Sequence, residues 1–360
     1  MKAMQWYRVL FGACVLSSAT VWAAPEMACK EPNKEYGFAT CANIQAAKAE
    51  GHVVIYSPNI EQATARTLKA FEKRFPEIKT QYVRLQAGAL YARLQAERRA
   101  GSHMVDVLNM SDRGLAEDFL KQGGYTRYMT PQLAAYEPRF RSKPEGYFTA
   151  GTLIMSGIAY NPNNIVPADV PKDWPDLNDP RWTGKVSVKS AASGVQYNAW
   201  NELKKIYGDD YWKEFSKLKP RPFDSYVQQF DRLINGEDAF AHTAQYSAYL
   251  EFRKKGAPVA FVAPKGGLPV IPEVWGVVDQ APNPQAARLF LDWLLSAEGQ
   301  QVIVNEFFVY SPREDVTPPE NGLPLKDMKL LTPESDEWDK FVAGRRTFVR
   351  EWGRISGLSK

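Results

Sequence analysis

Between His52 and Gly124 the chain passes three times from a short apolar run to a longer amphipathic one. "HVVIYSPN" starting at His52, "IKTQYVRL" starting at Ile78 and "VDVLNMS" starting at Val105 are rich in β-branched residues and end in turn or hydroxyl residues. Such runs read as buried strands. Each precedes a run with apolar residues at helical spacing: "EQATARTLKAFEKRFP", stopped by Pro76, "GALYARLQAERRAG" between Gly88 and Gly101, and "DRGLAEDFLKQGG". Strand and helix in strict alternation predict an α/β fold with a parallel sheet between helices. Ligands of such sheets bind beyond the carboxyl ends of the strands. Those ends carry Ser57 and Asn59, then Ala87 and Gly88, then Asn109 and Ser111; of these Ser57, Asn59, Gly88 and Ser111 are the candidate ligand contacts.

The alternation resumes further on. "GTLIMSGIAYNP" reads as a passage into a second lobe. "KVSV", "DAFAHT" and "VAFVAP" are further strands, and "PEVWGVV" returns the chain. "NPQAARLFLDWLLSAEGQQVIVNEF" is one strong helical pattern, and the tail ends in an aromatic amphipathic helix, "EWDKFVAGRRTFVREWGRI". About 335 residues after the leader exceed the usual size of one core, which favours two lobes. The turn "KSAASGVQ" stands out. Ser190, Ser193 and Gly194 separate a strand from the helix-like "YNAWNELKKIY". Small residues expose backbone N–H groups, and a helix that begins there points its positive end at the same place. Alone, the turn is a helix cap; on one jaw of a clamp it is an anion-holding turn.

The N-terminus has the form of a secretory signal. Lys2 and Arg8 precede the apolar "VLFGACVLSSATVWA", and Val21 and Ala23 satisfy the small-x-small rule, so Ala24 becomes the first mature residue. The sequence predicts a signal peptide over 1–23 and an exported, periplasmic chain. Cys14 falls within the signal. Cys29 and Cys41 then meet an oxidising compartment, where a disulfide closing an N-terminal extension over 24–50 is the default. The mature charge is nearly balanced, 43 basic against 41 acidic residues, and nothing in it calls for nucleic acid or an anionic membrane. Ten Trp and 17 Tyr admit two readings, packing or an aromatic grip on a solute.

Catalytic motifs are missing: the sequence holds no HExxH, GxSxG, GxGxxG or P-loop. His52, His103 and His242 are scattered, and only His242, at a strand end, is a candidate for the cleft. The reading is therefore non-enzymatic and without a cofactor, with an exported hydrolase on the same scaffold as the alternative of another class.

The runs "AKAEGHVVIYSPN", "LYARLQAERRAGSHMVDVL", "GIAYNP", "WTGKVSVKSAASG" and "AARLFLDWLLSAEGQQVI", in this order, resemble the type 2 periplasmic solute-binding proteins of ABC importers. The branch includes ferric-iron, thiamine, polyamine and phosphonate or sugar-phosphate binders. The resemblance implies a two-lobed periplasmic-binding-protein-like fold, each lobe a mostly parallel sheet flanked by helices, joined by a hinge. It implies residues 51–153 with 274–360 as the first lobe and 154–273 as the second. It also implies a monomer that docks transiently on an ABC permease in the inner membrane. Iron binders of this family place two tyrosines after the strand matching "DAFAHT"; here Tyr246 matches one and Gln245 replaces the other. Fe³⁺ wants anionic oxygens, so a lost phenolate weakens the iron reading, and a ferric-iron-binding importer component stays as the alternative, with Tyr246 as its candidate ligand. The turn holding Ser190, Ser193 and Gly194 faces the ligand in the family position, with the helix start at Gly88 opposite. These favour a phosphonate, phosphate ester or carboxylate. Glu273 and Trp275 in "PEVWG" would serve a polyamine instead, or pack a hinge.

Overall fold

The computed structural model describes residues 28–356 except 60, 192 and 335. The expected signal peptide over 1–23 lies outside them. Among the described residues no helix is long and apolar enough to cross a membrane.

The first alternation folds as the sequence predicts. After α1 (Ile44–Glu50) come β1 (His52–Ser57), α2 (Glu61–Arg74), β2 (Lys79–Arg84), α3 (Ala87–Arg99), β3 (Val107–Met110) and α4 (Arg113–Lys121). β1 pairs in parallel with both β2 and β3. β4 (Thr149–Tyr160) then leads to β5 (Val186–Lys189), α5 (Gly194–Lys217), β6 (Arg221–Phe223), α6 (Tyr226–Ile234), β7 (Phe240–Gln245), α7 (Tyr246–Lys254) and β8 (Ala260–Val262). β9 (Leu268–Val277), α8 (Pro284–Leu295), α9 (Ala297–Phe307), β10 (Leu330–Leu331) and α10 (Trp338–Ser356) complete the chain. A left-handed Gly208, with φ of 73°, breaks α5 between its two apolar runs; glycine takes this conformation without a Cβ penalty. The single helical pattern after Asn283 is two helices. Ser296 leaves helical geometry, and its Oγ accepts the Gly299 N–H at 3.2 Å to start α9.

Two long strands organise the molecule. The sheet runs in the order β2-β1-β3-β9-β4-β7-β5-β6. Its outer parts are parallel, whereas β9 and β4 pair antiparallel with each other and with their outer neighbours β3 and β7. The first half of β4 pairs β9, and its last residues, Ser156 to Tyr160, pair β7 and β8. β4 carries the chain from one lobe to the other, and β9 carries it back. Their mostly buried residues give the near-continuous apolar runs of strands covered on both faces.

α10 bridges the lobes. Phe348 and Trp352 pack on Trp200 of α5, with ring centroids 5.5 and 5.7 Å apart. On the other side Asp339 accepts from Lys121 of α4 at 2.6 Å. The tail, allotted to the first lobe from sequence, thus contributes to the second lobe's aromatic core as well.

Cys29 and Cys41 form a disulfide, with Cα atoms 5.6 Å apart. The loop it closes docks on α8, where the buried Asp292 carboxylate accepts the Thr40 hydroxyl at 2.6 Å and the Cys41 N–H at 3.2 Å. Burial pushes that carboxyl up to about 6, although four donors oppose the shift.

Candidate functional site

Four helices begin at the seam between the lobes. Ala87 and Gly88 open α3, and Ser193 and Gly194 open α5. Tyr226 opens α6, and Gln245 precedes α7. At none of the four does the N-cap side chain accept a helix N–H. Four other helix starts are closed: Asn43 caps α1, Asp112 caps α4 at the same cleft, Ser296 caps α9, and Glu50 accepts the N–H groups of Gln285 and Ala286 in α8. Orphan donors and the positive ends of helix dipoles therefore converge on one region.

That region is a cleft with two compartments. The first, of about 590 Å³, is lined by Gly88, Ser111, Asp112, Lys189, Ser193, Gly194 and Arg345, among others. The second, of about 540 Å³, adds Asn59, Thr152, Ser247, Phe252 and Phe307. Ile154, Tyr226, Gln245 and Glu273 line both. A Cβ built on Gly88 would meet nothing within 4 Å, so the first turn of α3 stays open to a ligand.

The charges are held in place. Lys189 lies over the Tyr226 ring, 4.1 Å from its centroid, and its Nζ donates to the Asp224 carbonyl. Burial lowers its pKa, against the attraction of Asp224. The Tyr226 hydroxyl is buried without a hydrogen-bond partner. Burial pushes the Glu273 carboxyl up, against hydrogen bonds from Thr152, at 2.9 Å, and Asn59. A protonated Glu273 can donate to an oxygen in the cleft. Arg345 is ion-paired with Asp112 at the rim.

Residues 102–340 match the model of the bacterial extracellular solute-binding protein family. The chain belongs to that family. A probable ABC transporter periplasmic-binding protein of Sinorhizobium fredii is 24% identical over 336 residues, covering 84% of this chain and 89% of that one. Two solved structures share the fold at 21% identity. One is iron-bound HitA of Pseudomonas aeruginosa (TM-score 0.72, 84% of this chain and 99% of that chain). The other is the periplasmic binding protein AfuA of Actinobacillus pleuropneumoniae with fructose-6-phosphate bound (TM-score 0.70, 86% and 99%).

In this solute-binding protein Asn59, Gly88, Ser111, Ser193 and Gly194, five of the sequence candidates, line the cleft. Five other candidates do not line either compartment. Ser57 is fully buried; its Oγ donates to Asn109 at 2.8 Å and accepts the Asn59 N–H at 3.1 Å, so it positions Asn59. The Ser190 hydroxyl donates to Asp224 and pins the turn to the β6–α6 loop. His242 points away from the cleft into a sealed cage, with the rings of Phe215, Trp174 and Trp212 at 4.5, 4.7 and 5.4 Å. Its Nε2 meets the Tyr211 hydroxyl at 2.9 Å, and burial lowers its pKa to about 3. Gln245, three residues along β7, faces the cleft instead.

Tyr246 is also turned away. Its ring lies 4.5 Å from Phe261 and 5.6 Å from Tyr310, and its hydroxyl accepts the Leu323 N–H at 3.4 Å. Burial raises its pKa, which opposes the phenolate that Fe³⁺ requires. Among the described residues no group of three or more His, Cys, Asp or Glu could hold a metal ion. Trp275 packs in the first lobe's core against Phe290, its ring filling the space that a side chain at Gly151 would occupy. The sequence reading missed Asp112, Tyr226 and Arg345. "SYVQQF" carries the same serine-before-helix signal as "KSAASGVQ" and would have pointed to Tyr226. Nothing local marks Arg345, which meets Asp112 across 233 residues.

Proposed function

We propose that the chain is the periplasmic solute-binding component of an ABC importer and that it captures a small organic anion. The observation that carries the ligand class is the convergence of four helix starts without side-chain caps, beside Lys189 and Arg345, on one cleft. Each helix terminus contributes about 0.3–2 kcal/mol toward a bound anion, so the ends act together with hydrogen bonds from Ser111, Ser193 and Tyr226. A phosphate ester, phosphonate or carboxylate head sits in the first compartment, and its neutral body reaches the second past Glu273. Residues 51–153 with 274–360 form one jaw and residues 154–273 the other, with β4 and β9 as the hinge, and α10 spans both. Binding draws the jaws together, and the closed shape docks on the permease. The chemistry is capture and release without turnover.

A thermal-shift screen of the mature protein tests this, after unfolding and refolding to strip any carried ligand. The panel holds phosphate esters, phosphonates, carboxylates, polyamines, thiamine and ferric citrate. A ligand at about 100 times its dissociation constant adds about 2.7 kcal/mol of stability, a shift that is easily read. Stabilisation by one anionic class supports the reading. Stabilisation by ferric citrate or a cation alone overturns it.

A further inference from the structure

We propose that Arg345 is a ligand-contacting cation of the cleft, held by Asp112 until an anion takes it. This rests on the anion reading above and assigns the residue that selects for charge.

Arg345 comes from the tail helix, outside the sheet that builds both lobes. Its guanidinium nitrogens lie 4.0 Å from the position of a Cβ on Gly194, against the first turn of α5. The same group pairs with Asp112, which caps α4 on the facing lobe. Arg345 therefore stands at the seam, where one helix start is open and the other is closed. The two carboxylate oxygens of Asp112 have different partners. Oδ1 accepts the Gly114 N–H at 3.0 Å, and Oδ2 accepts from Arg345. When Arg345 turns to an anion, Asp112 keeps its helix N–H bonds and the favourable dipole of α4, so the exchange leaves no stranded charge.

Lys189 cannot take this part, because its ammonium is fixed on the Asp224 carbonyl and the Tyr226 face. A guanidinium also offers a planar fork that fits two oxygens of a phosphate or carboxylate. α10 delivers it with little freedom. Glu337 accepts from Lys205 of α5 at 2.7 Å, Phe341 O accepts from the Tyr197 hydroxyl, and Asp339 holds Lys121 of α4. Asp112 thus acts as an internal competitor for the guanidinium, which favours dianions over monoanions.

The test is calorimetric titration of the full mature chain with inorganic phosphate, at low and at physiological salt. Asp112→Asn keeps the helix cap and removes the competing charge. It is expected to tighten phosphate binding about threefold or more, while Arg345→Gln weakens it about tenfold or more and flattens its salt dependence. Arg345→Lys falls between wild type and Arg345→Gln. A purely structural ion pair would instead make both variants lower the ligand-free melting temperature and move affinity in the same direction. Unchanged affinity in both variants, with wild type binding phosphate, overturns the Arg345 assignment and leaves the anion reading standing. Wild-type protein that binds neither inorganic phosphate nor any phosphate ester, phosphonate or carboxylate of the screen overturns both.

Discussion

The two sides of β7 are built for opposite purposes. Behind it, His242 sits among Trp174, Trp212 and Phe215, with Trp200 and Trp352 completing a closed aromatic layer. In front of it, Gln245 opens on a cleft where helix ends are uncapped, a tyrosine hydroxyl is unpartnered, and no tryptophan lines either compartment. The aromatic richness of the chain is thus packing on one side, and the polar groups left open on the other are the binding surface. An N-cap is worth about 1 kcal/mol, so each uncapped helix at the cleft is less stable than it could be. A fold keeps such a deficit where a ligand supplies the missing partner.

The contrast can be broken or sharpened by substitution. Trp212→Ala removes a fully buried ring from the cage and is expected to cost about 3–5 kcal/mol of unfolding free energy, read by denaturant titration, with ligand affinity of the folded fraction unchanged. A comparable loss of affinity would mean that cage and cleft are not separate.

Ser193→Asp should move the two quantities in opposite directions. A carboxylate at the helix N-terminus favours α5 by about 0.3–1 kcal/mol, while the new charge in the first compartment weakens anion binding by about ten- to a hundredfold. Unchanged affinity for the anion found in the screen would remove this turn from the site.

His242→Phe probes the cage alone. Folded His242 titrates at about 3, below its unfolded value near 6.5, so its neutral form is favoured by folding. Its contribution is complete above about pH 6.5 and is lost as pH falls toward the folded value, because the unfolded chain then binds the extra proton. Phenylalanine cannot titrate. The acid limb of stability between about pH 6.5 and 5 should flatten by about 1–2 kcal/mol in the variant. Parallel limbs would show that His242 reaches solvent, and with it the cleft side of β7.

The sequence made some parts of the site legible and hid others. Ser193, Gly194 and Gly88 were readable because small residues before a helix carry a local backbone meaning. Ser57 and Ser190 carried the same chemistry, yet Asn109 and Asp224 take their hydroxyls. His242 was placed by its position at a strand end, Tyr246 by the resemblance to iron binders and Trp275 by the polyamine reading, and each turned into a core instead. Strand alternation decides such a residue's side only once the register and the covering layers are known.

Local periodicity, turn residues and the cysteine pair determined the βαβ alternation, the two crossings at β4 and β9, the helix starts and the disulfide. Each of these depends on residues close in sequence or on a short closed loop. The tertiary structure alone decided which helix ends stay uncapped, which aromatics seal the cage, and that a tail arginine meets Asp112 across 233 residues. The physical reason is range: periodicity and turn chemistry act within a few residues, whereas burial, tertiary hydrogen bonds and ion pairs depend on what the completed fold brings alongside.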